Sequence, residues 1–179
     1  MEGMESYCYK YPRPEVTADC VVWGWKKGEV YVLLVRRGKE PFRGCWALPG
    51  GFMETDESAE DCAVRELKEE TGLSVASVRQ IGAFSAPDRD PRGRVVTVAF
   101  YAFADMQEEL LRAGDDAAEA GWFPFSGLPS LAFDHREILE VAFRQVKADR
   151  ITDEKTLRKR AAVWPEGAVA GWLGAEGKG

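Results

Sequence analysis

Residues 51–73 read Gly51-Phe52-Met53-Glu54-Thr55-Asp56-Glu57-Ser58-Ala59-Glu60-Asp61-Cys62-Ala63-Val64-Arg65-Glu66-Leu67-Lys68-Glu69-Glu70-Thr71-Gly72-Leu73. A helix turns about 100° per residue. Over residues 58–71 that rotation sorts the side chains onto three sides. Glu66, Glu69 and Glu70 share an arc of roughly a quarter-turn. Ala63, Val64 and Leu67 share another, suited to a core, while Lys68 and Asp61 point to a third, towards water. The spacing predicts a helix over 58–71 whose carboxylate stripe is separate from both its buried and its solvated sides.

Like charges at i, i+3 and i+4 destabilise an isolated helix by about 0.2–0.5 kcal/mol per pair, so three clustered glutamates ask for a positive partner. Mg²⁺ takes oxygen ligands, keeps several waters and is shared between protein carboxylates and substrate phosphates. The other reading is a glutamate-rich solvated helix. The flank Trp46-Ala47-Leu48-Pro49-Gly50-Gly51 favours the metal: an apolar run meets a turn at a glycine pair. Glycine allows φ > 0 and close approach to a ligand, so a carbonyl of Gly50 or Gly51 is a candidate ligand for the same cation. Glu57 and Arg65 can lie on neighbouring faces. They are expected to pair and fix the loop to the helix, or else to form an exposed pair worth under about 1 kcal/mol.

The order Gly51, five residues, Glu57, seven residues, then Arg65-Glu66-Leu67-Lys68-Glu69-Glu70-Thr71-Gly72-Leu73 resembles the signature of the Nudix hydrolases at every defining position. Those enzymes split a nucleoside diphosphate linked to some other group. The resemblance implies that Glu66, Glu69, Glu70 and a carbonyl at Gly50 or Gly51 hold Mg²⁺, with Mn²⁺ as a substitute, and that Arg65 orients them. It implies an α/β/α sandwich with a mixed β-sheet. The resemblance further implies that the base that activates water is a glutamate of the signature or an acid on a later loop. In this chain that loop is Gly114-Asp115-Asp116-Ala117-Ala118-Glu119, with Glu119 as the residue carried forward.

Outside the signature, Pro87 stands 15 residues after Gly72. Together with Asp88-Arg89-Asp90-Pro91-Arg92-Gly93-Arg94 it resembles the ADP-ribose pyrophosphatases and relatives that sense ADP-ribose. The implied substrate is ADP-ribose, split to AMP and ribose 5-phosphate. Arginine offers a planar fork of donors to phosphate oxygens, so Arg89, Arg92 and Arg94, with Pro87 shaping the loop, are candidate substrate contacts. A solvated turn is the alternative, since Pro, Asp and Gly are common there anyway. Arg36 belongs to a second basic group with Arg37, Lys39 and Arg43, which also reads as ordinary surface. Trp46 is a candidate stacking partner for adenine, as are Trp23, Trp25, Tyr31 and Phe84, each of which also suits a core. His135, the single histidine, is expected to cap a helix or face solvent rather than act in catalysis.

Strands are expected over 16–25 and 30–36 around the turn Lys26-Lys27-Gly28-Glu29, then over 46–48, 75–85, 94–104 and 119–125, with a packing helix over 133–148. Strands interleaved with two helices argue for a sheet covered on both faces. The organisation expected is an N-terminal segment (1–14), one hydrolase domain (15–149) and a tail (150–179) with a short helix over 153–163. Tyr7-Cys8-Tyr9-Lys10-Tyr11-Pro12-Arg13-Pro14 suits either a homodimer contact, as the resemblance implies, or packing on its own core.

A net charge of −6 argues against nucleic acid as the main partner. No apolar run approaches the roughly 20 residues that span a bilayer, and Met1-Glu2-Gly3-Met4-Glu5 has acids where a secretory signal has positive charge. A cytoplasmic protein with reduced thiols is expected, since Cys8, Cys20, Cys45 and Cys62 form no paired motif. Two rivals share the signature: a hydrolase of oxidised nucleoside triphosphates, and an ADP-ribose-sensing regulator. The regulator needs a DNA-binding segment, for which residues 150–179, with six basic and four acidic residues, are short and weakly basic.

Overall fold

A computed structural model describes residues 8–27, 29–104, 106 and 117–152. The helix expected over 153–163, residues 1–7 and loop residues 107–116 lie outside the described residues. The chain runs β1 (Glu15–Lys26), β2 (Glu29–Arg37), β3 (Trp46–Ala47), β4 (Gly50–Phe52), α1 (Ala59–Thr71), β5 (Arg79–Phe84), β6 (Val95–Phe103), β7 (Ala117–Pro124) and α2 (His135–Thr152), with one 3₁₀ turn at Phe125–Gly127. No helix among the described residues is long and apolar enough to cross a membrane.

All the strands belong to one mixed sheet organised around β1. Along one edge β1 runs parallel to β6, from Glu15 opposite Val95 to Trp23 opposite Phe103, and β5 pairs antiparallel to β6 beyond it. The other edge is divided. Its start pairs with β4, Ala18 opposite Gly51 and Asp19 opposite Gly50. Its end pairs with β2, Trp23 opposite Val32 and Lys26 opposite Glu29. Past that point β2 leaves β1, takes β3 in its place and carries β7 on its far edge. The sheet therefore forks, and residues 46–52 fill the fork.

Successive strand residues point to opposite faces, and the two cores follow that alternation. Val21 and Trp23 of β1 pack with Val32 and Leu34 of β2, and with Ile138, Leu139, Ala142, Phe143 and Val146 of α2. Ala18, Cys20 and Val22 face the other way, against Cys62, Ala63 and Leu67 of α1. The expected α/β/α sandwich with a mixed sheet is the fold observed. Trp23 is wholly core, edge-on to Phe125 with ring centroids 5.3 Å apart, and Phe84 packs against the same cluster.

The helix begins and ends where its sequence dictates. Ser58 and Asp61 form a reciprocal capping box, and Gly72 closes the C-terminus in the left-handed region at φ 74° with its N–H on the Lys68 carbonyl. That conformation is cheap only for glycine. Two expectations shift. The strand after α1 starts at Arg79, not 75, because Leu73 and Val78 are buried under the helix and pack there instead of in a ladder. The Gly50-Gly51 turn is in fact strand: β4 lies flat on β1.

Leu67 is fully buried beneath α1, whereas Lys68 faces solvent. Leu67→Ala is expected to cost about 2–5 kcal/mol and Lys68→Ala to stay within about 0.5 kcal/mol of wild type, as measured by urea unfolding.

Candidate functional site

Where the sheet forks, a cleft of about 1020 Å³ opens. Glu66, Glu69 and Glu70 line it together with Gly50, Gly51 and the arginines Arg36, Arg37, Arg89 and Arg92. Neither glycine is among the positive-φ residues; both are extended. Their requirement is space. A Cβ on Gly50 would fall on the Ala18 carbonyl and the Asp19 carboxylate, and one on Gly51 would fall on the carboxylate of Glu66. Close approach, not a turn, explains the pair.

Arg65 is the hub of the carboxylate wall. Its Nε and Nη2 donate to the two oxygens of Glu57 at 2.9 and 2.6 Å, the pairing that fixes loop to helix. Nη1 donates to Glu66 at 2.7 Å and to Glu69 at 3.2 Å, and Nη2 also reaches the Phe52 carbonyl at 3.2 Å. Hydrogen bonds from Arg65, then the Glu54 N–H, hold the Glu57 carboxyl down at about 2. Glu70 is in the opposite condition. Burial pushes its pKa up to about 8 although the Gly50 N–H donates to it; Glu66 and Asp19 add repulsion. Burial also raises Glu66.

The donor set suits a hard divalent cation: carboxylate oxygens of Glu66, Glu69 and Glu70 beside the Gly50 and Gly51 backbone. Among the described residues no three such side chains converge on one point. Arg65 draws Glu66 and Glu69 to itself, and the Gly50 N–H engages Glu70 at 3.0 Å. Glu70, half-buried and repelled by its neighbours, is the carboxylate that a cation would relieve most.

In the same cleft Arg37 is half-buried with its guanidinium carbon 4.8 Å from the Phe133 ring centre, and its Nε donates to the Pro41 carbonyl at 2.7 Å. Burial and then Arg92 lower its pKa. Arg92 lies near both Phe52 and Phe133, at 4.8 and 5.4 Å, and is held by Asp90. Arg36 donates to the Gly44 carbonyl at 3.2 Å.

Several residues expected at the substrate are bound to other groups or lie outside the cleft. Arg89 is buried and bound through both Nε and Nη2 to Asp134 at 2.8 and 2.6 Å, so its fork is already occupied. Arg94 donates to the carbonyls of Ser85 and Ala86 and closes the base of its loop. Pro87 is exposed on that loop. Trp46 packs edge-on to Phe123 at 4.4 Å. Glu119 sits in β7 opposite Arg36, reaching it at 3.8 Å. Arg94, Pro87, Trp46 and Glu119 are not among the cleft's lining residues.

His135 is not a surface residue. It is 4 % exposed, and its Nδ1 accepts the Leu48 N–H at 2.9 Å. Burial lowers its pKa, and a ring nitrogen that accepts a hydrogen bond carries no proton. Asp19, also in the cleft wall, was outside the sequence reading. A lone acid inside an apolar strand carries no local signal of its use, since its partners Thr97 and Arg89 are remote in sequence.

The NUDIX domain model matches residues 13–142. The chain is 45% identical over 130 residues to an ADP-ribose pyrophosphatase of Methanocaldococcus jannaschii, covering 73% of each chain. A MutT/nudix family protein from Enterococcus faecalis superposes with a TM-score of 0.77 at 37% identity, covering 86% of this chain and 70% of that one. The NUDIX domain of Shewanella oneidensis NrtR complexed with ADP ribose superposes with a TM-score of 0.71 at 31% identity, covering 76% and 90%.

The Glu57–Arg65 pair has a signature in acid. Because the folded pKa of Glu57 lies below its unfolded value of about 4.3, the pair contributes stability above that pH and loses it as pH falls towards 2. Thermal unfolding should therefore show wild type falling towards Glu57→Gln between about pH 5 and 2, with wild type the more stable at pH 7.

Proposed function

The chain belongs to the NUDIX family, and on that premise we propose that it hydrolyses a nucleoside diphosphate linked to another moiety, most specifically ADP-ribose to AMP and ribose 5-phosphate, with Mg²⁺ or its substitute Mn²⁺. The observation that carries this reading is the meeting of opposite charges in one cleft: three glutamates of α1 line it together with Arg36, Arg37 and Arg92. A diphosphate bridged both to cations and to guanidinium groups suits such a lining.

The chain's own residues then divide the work. Glu66, Glu69, Glu70 and the Gly50 and Gly51 backbone would hold the cation, which when bound neutralises phosphate charge and lowers the pKa of water. Arg65, anchored on Glu57, fixes Glu66 and Glu69 in place. Arg37 and Arg92, flanked by Phe133, bind and orient the anion. The relatives support the choice of substrate, since the names of two of them refer to ADP-ribose. The intact carboxylate wall supports turnover over mere sensing of that ligand.

Incubation with ADP-ribose and Mg²⁺ should yield AMP and ribose 5-phosphate, and EDTA should abolish the reaction. Glu70→Gln should lower kcat/KM at least about 100-fold. Preference for a modified nucleoside triphosphate, undiminished turnover in EDTA, or binding of ADP-ribose without products would each refute the proposal.

A further inference from the structure

In the wall of the same cleft, beside the glycine pair, lies a cluster of buried polar side chains drawn from separate parts of the chain. The His135 Nδ1 accepts the backbone N–H of Leu48 across 87 positions of sequence, and its Nε2 faces the Asp19 Oδ1 at 3.7 Å. The Thr97 hydroxyl donates to the Asp19 Oδ2 at 2.6 Å, and the Arg89 Nη2, locked on Asp134, stands 4.0 Å from the same oxygen. A neutral imidazole has one donor and one acceptor nitrogen. The bond from Leu48 therefore leaves the ring proton on Nε2, directed at Asp19.

We propose that His135 is a positioning residue for the hydrolytic site: as the Nε2-protonated tautomer backed by Asp19, it sets the backbone of residues 48–51 and with it the cation-facing groups. The inference rests on the reading of the cleft as a metal-dependent hydrolase site.

The mechanical path is short. His135 holds Leu48; the Cys20 N–H holds the Pro49 carbonyl at 2.9 Å; the Gly50 N–H then meets Glu70 at 3.0 Å. Asp19 closes the circuit, because its side chain lies against Gly50 as well as facing the ring. Groups that orient a ligand shell contribute about 10–100-fold in metal affinity or activity when removed. Arg89 belongs to the same support. Its salt bridge to Asp134, the residue before His135, ties loop 86–94 to the start of α2.

With a single histidine in the chain, the imidazole nitrogens give unambiguous ¹⁵N signals. At pH 7 the wild type should show Nδ1 unprotonated and Nε2 protonated; the reverse tautomer overturns the proposal. Asparagine places its amide oxygen where Nδ1 stands, so His135→Asn keeps the acceptor while His135→Leu keeps only bulk. Mn²⁺ binding followed by electron paramagnetic resonance, and ADP-ribose kinetics at saturating Mg²⁺, read the consequence. In folded His135→Leu, Mn²⁺ affinity and kcat should each fall at least about tenfold with little change in KM, and His135→Asn should restore most of both. Equal losses in folded Leu and Asn variants, or wild-type behaviour in His135→Leu, refute the proposal. Should His135→Leu not fold, Thr97→Val, which frees Asp19 without touching the ring, is expected to lower Mn²⁺ affinity several-fold; no change refutes the proposal. Wild-type protein that binds no Mn²⁺ fails the metal reading and this inference together, whereas equal Mn²⁺ binding by wild type and both folded variants fails this inference alone.

Discussion

A methyl group has no room against the backbone at position 50 and would displace the Glu66 carboxylate at position 51, and much of the site follows from that. At Gly50 it would meet the Ala18 carbonyl and the Asp19 carboxylate; at Gly51 it would meet Glu66. The missing side chains let β4 lie between β1 and α1, close enough for the Gly50 N–H to reach Glu70 and for the Cys62 thiol to sit 3.7 Å from the Gly51 carbonyl. Strand, backbone and carboxylate stripe are drawn to one place because nothing projects between them. The fork of the sheet is the large-scale counterpart: β2 leaves β1 where β4 needs its edge.

Electrostatics make this close packing costly in the absence of a cation. Burial raises Glu70 to about 8, with Glu66 and Asp19 adding to the effect, and the one arginine in the stripe is shared among Glu57, Glu66 and Glu69. Structures commonly store such repulsion where a ligand relieves it. In the same cleft, Arg37 lies half-buried beside Arg92, the complementary imbalance. A ligand carrying both a divalent cation and a diphosphate would relieve both imbalances at once.

The parts legible in the sequence were those whose partners lie within a few helical turns. The carboxylate stripe, the extent of α1 and the Glu57–Arg65 pair depend on spacing along one segment, and spacing is what a sequence displays. The layers were legible too, because the strands alternate in side chains that pack on two opposite faces. β4 was not, since three residues are too few for alternation to register and the glycines suggested a turn. Arg89 read as a surface donor because its loop is polar. Its buried partner, Asp134, lies 45 positions away. His135 and Asp19 escaped for the same reason: each is defined by contacts across the sheet, which no local pattern announces.

The central claim is that the glutamate stripe and the paired glycines form one cation site within the cleft. Anomalous diffraction from crystals soaked in Mn²⁺ tests it most directly. The account predicts density bounded by Glu66, Glu69, Glu70 and the backbone of Gly50 or Gly51; Mn²⁺ bound only elsewhere, in protein that hydrolyses its substrate in the same buffer, would contradict it.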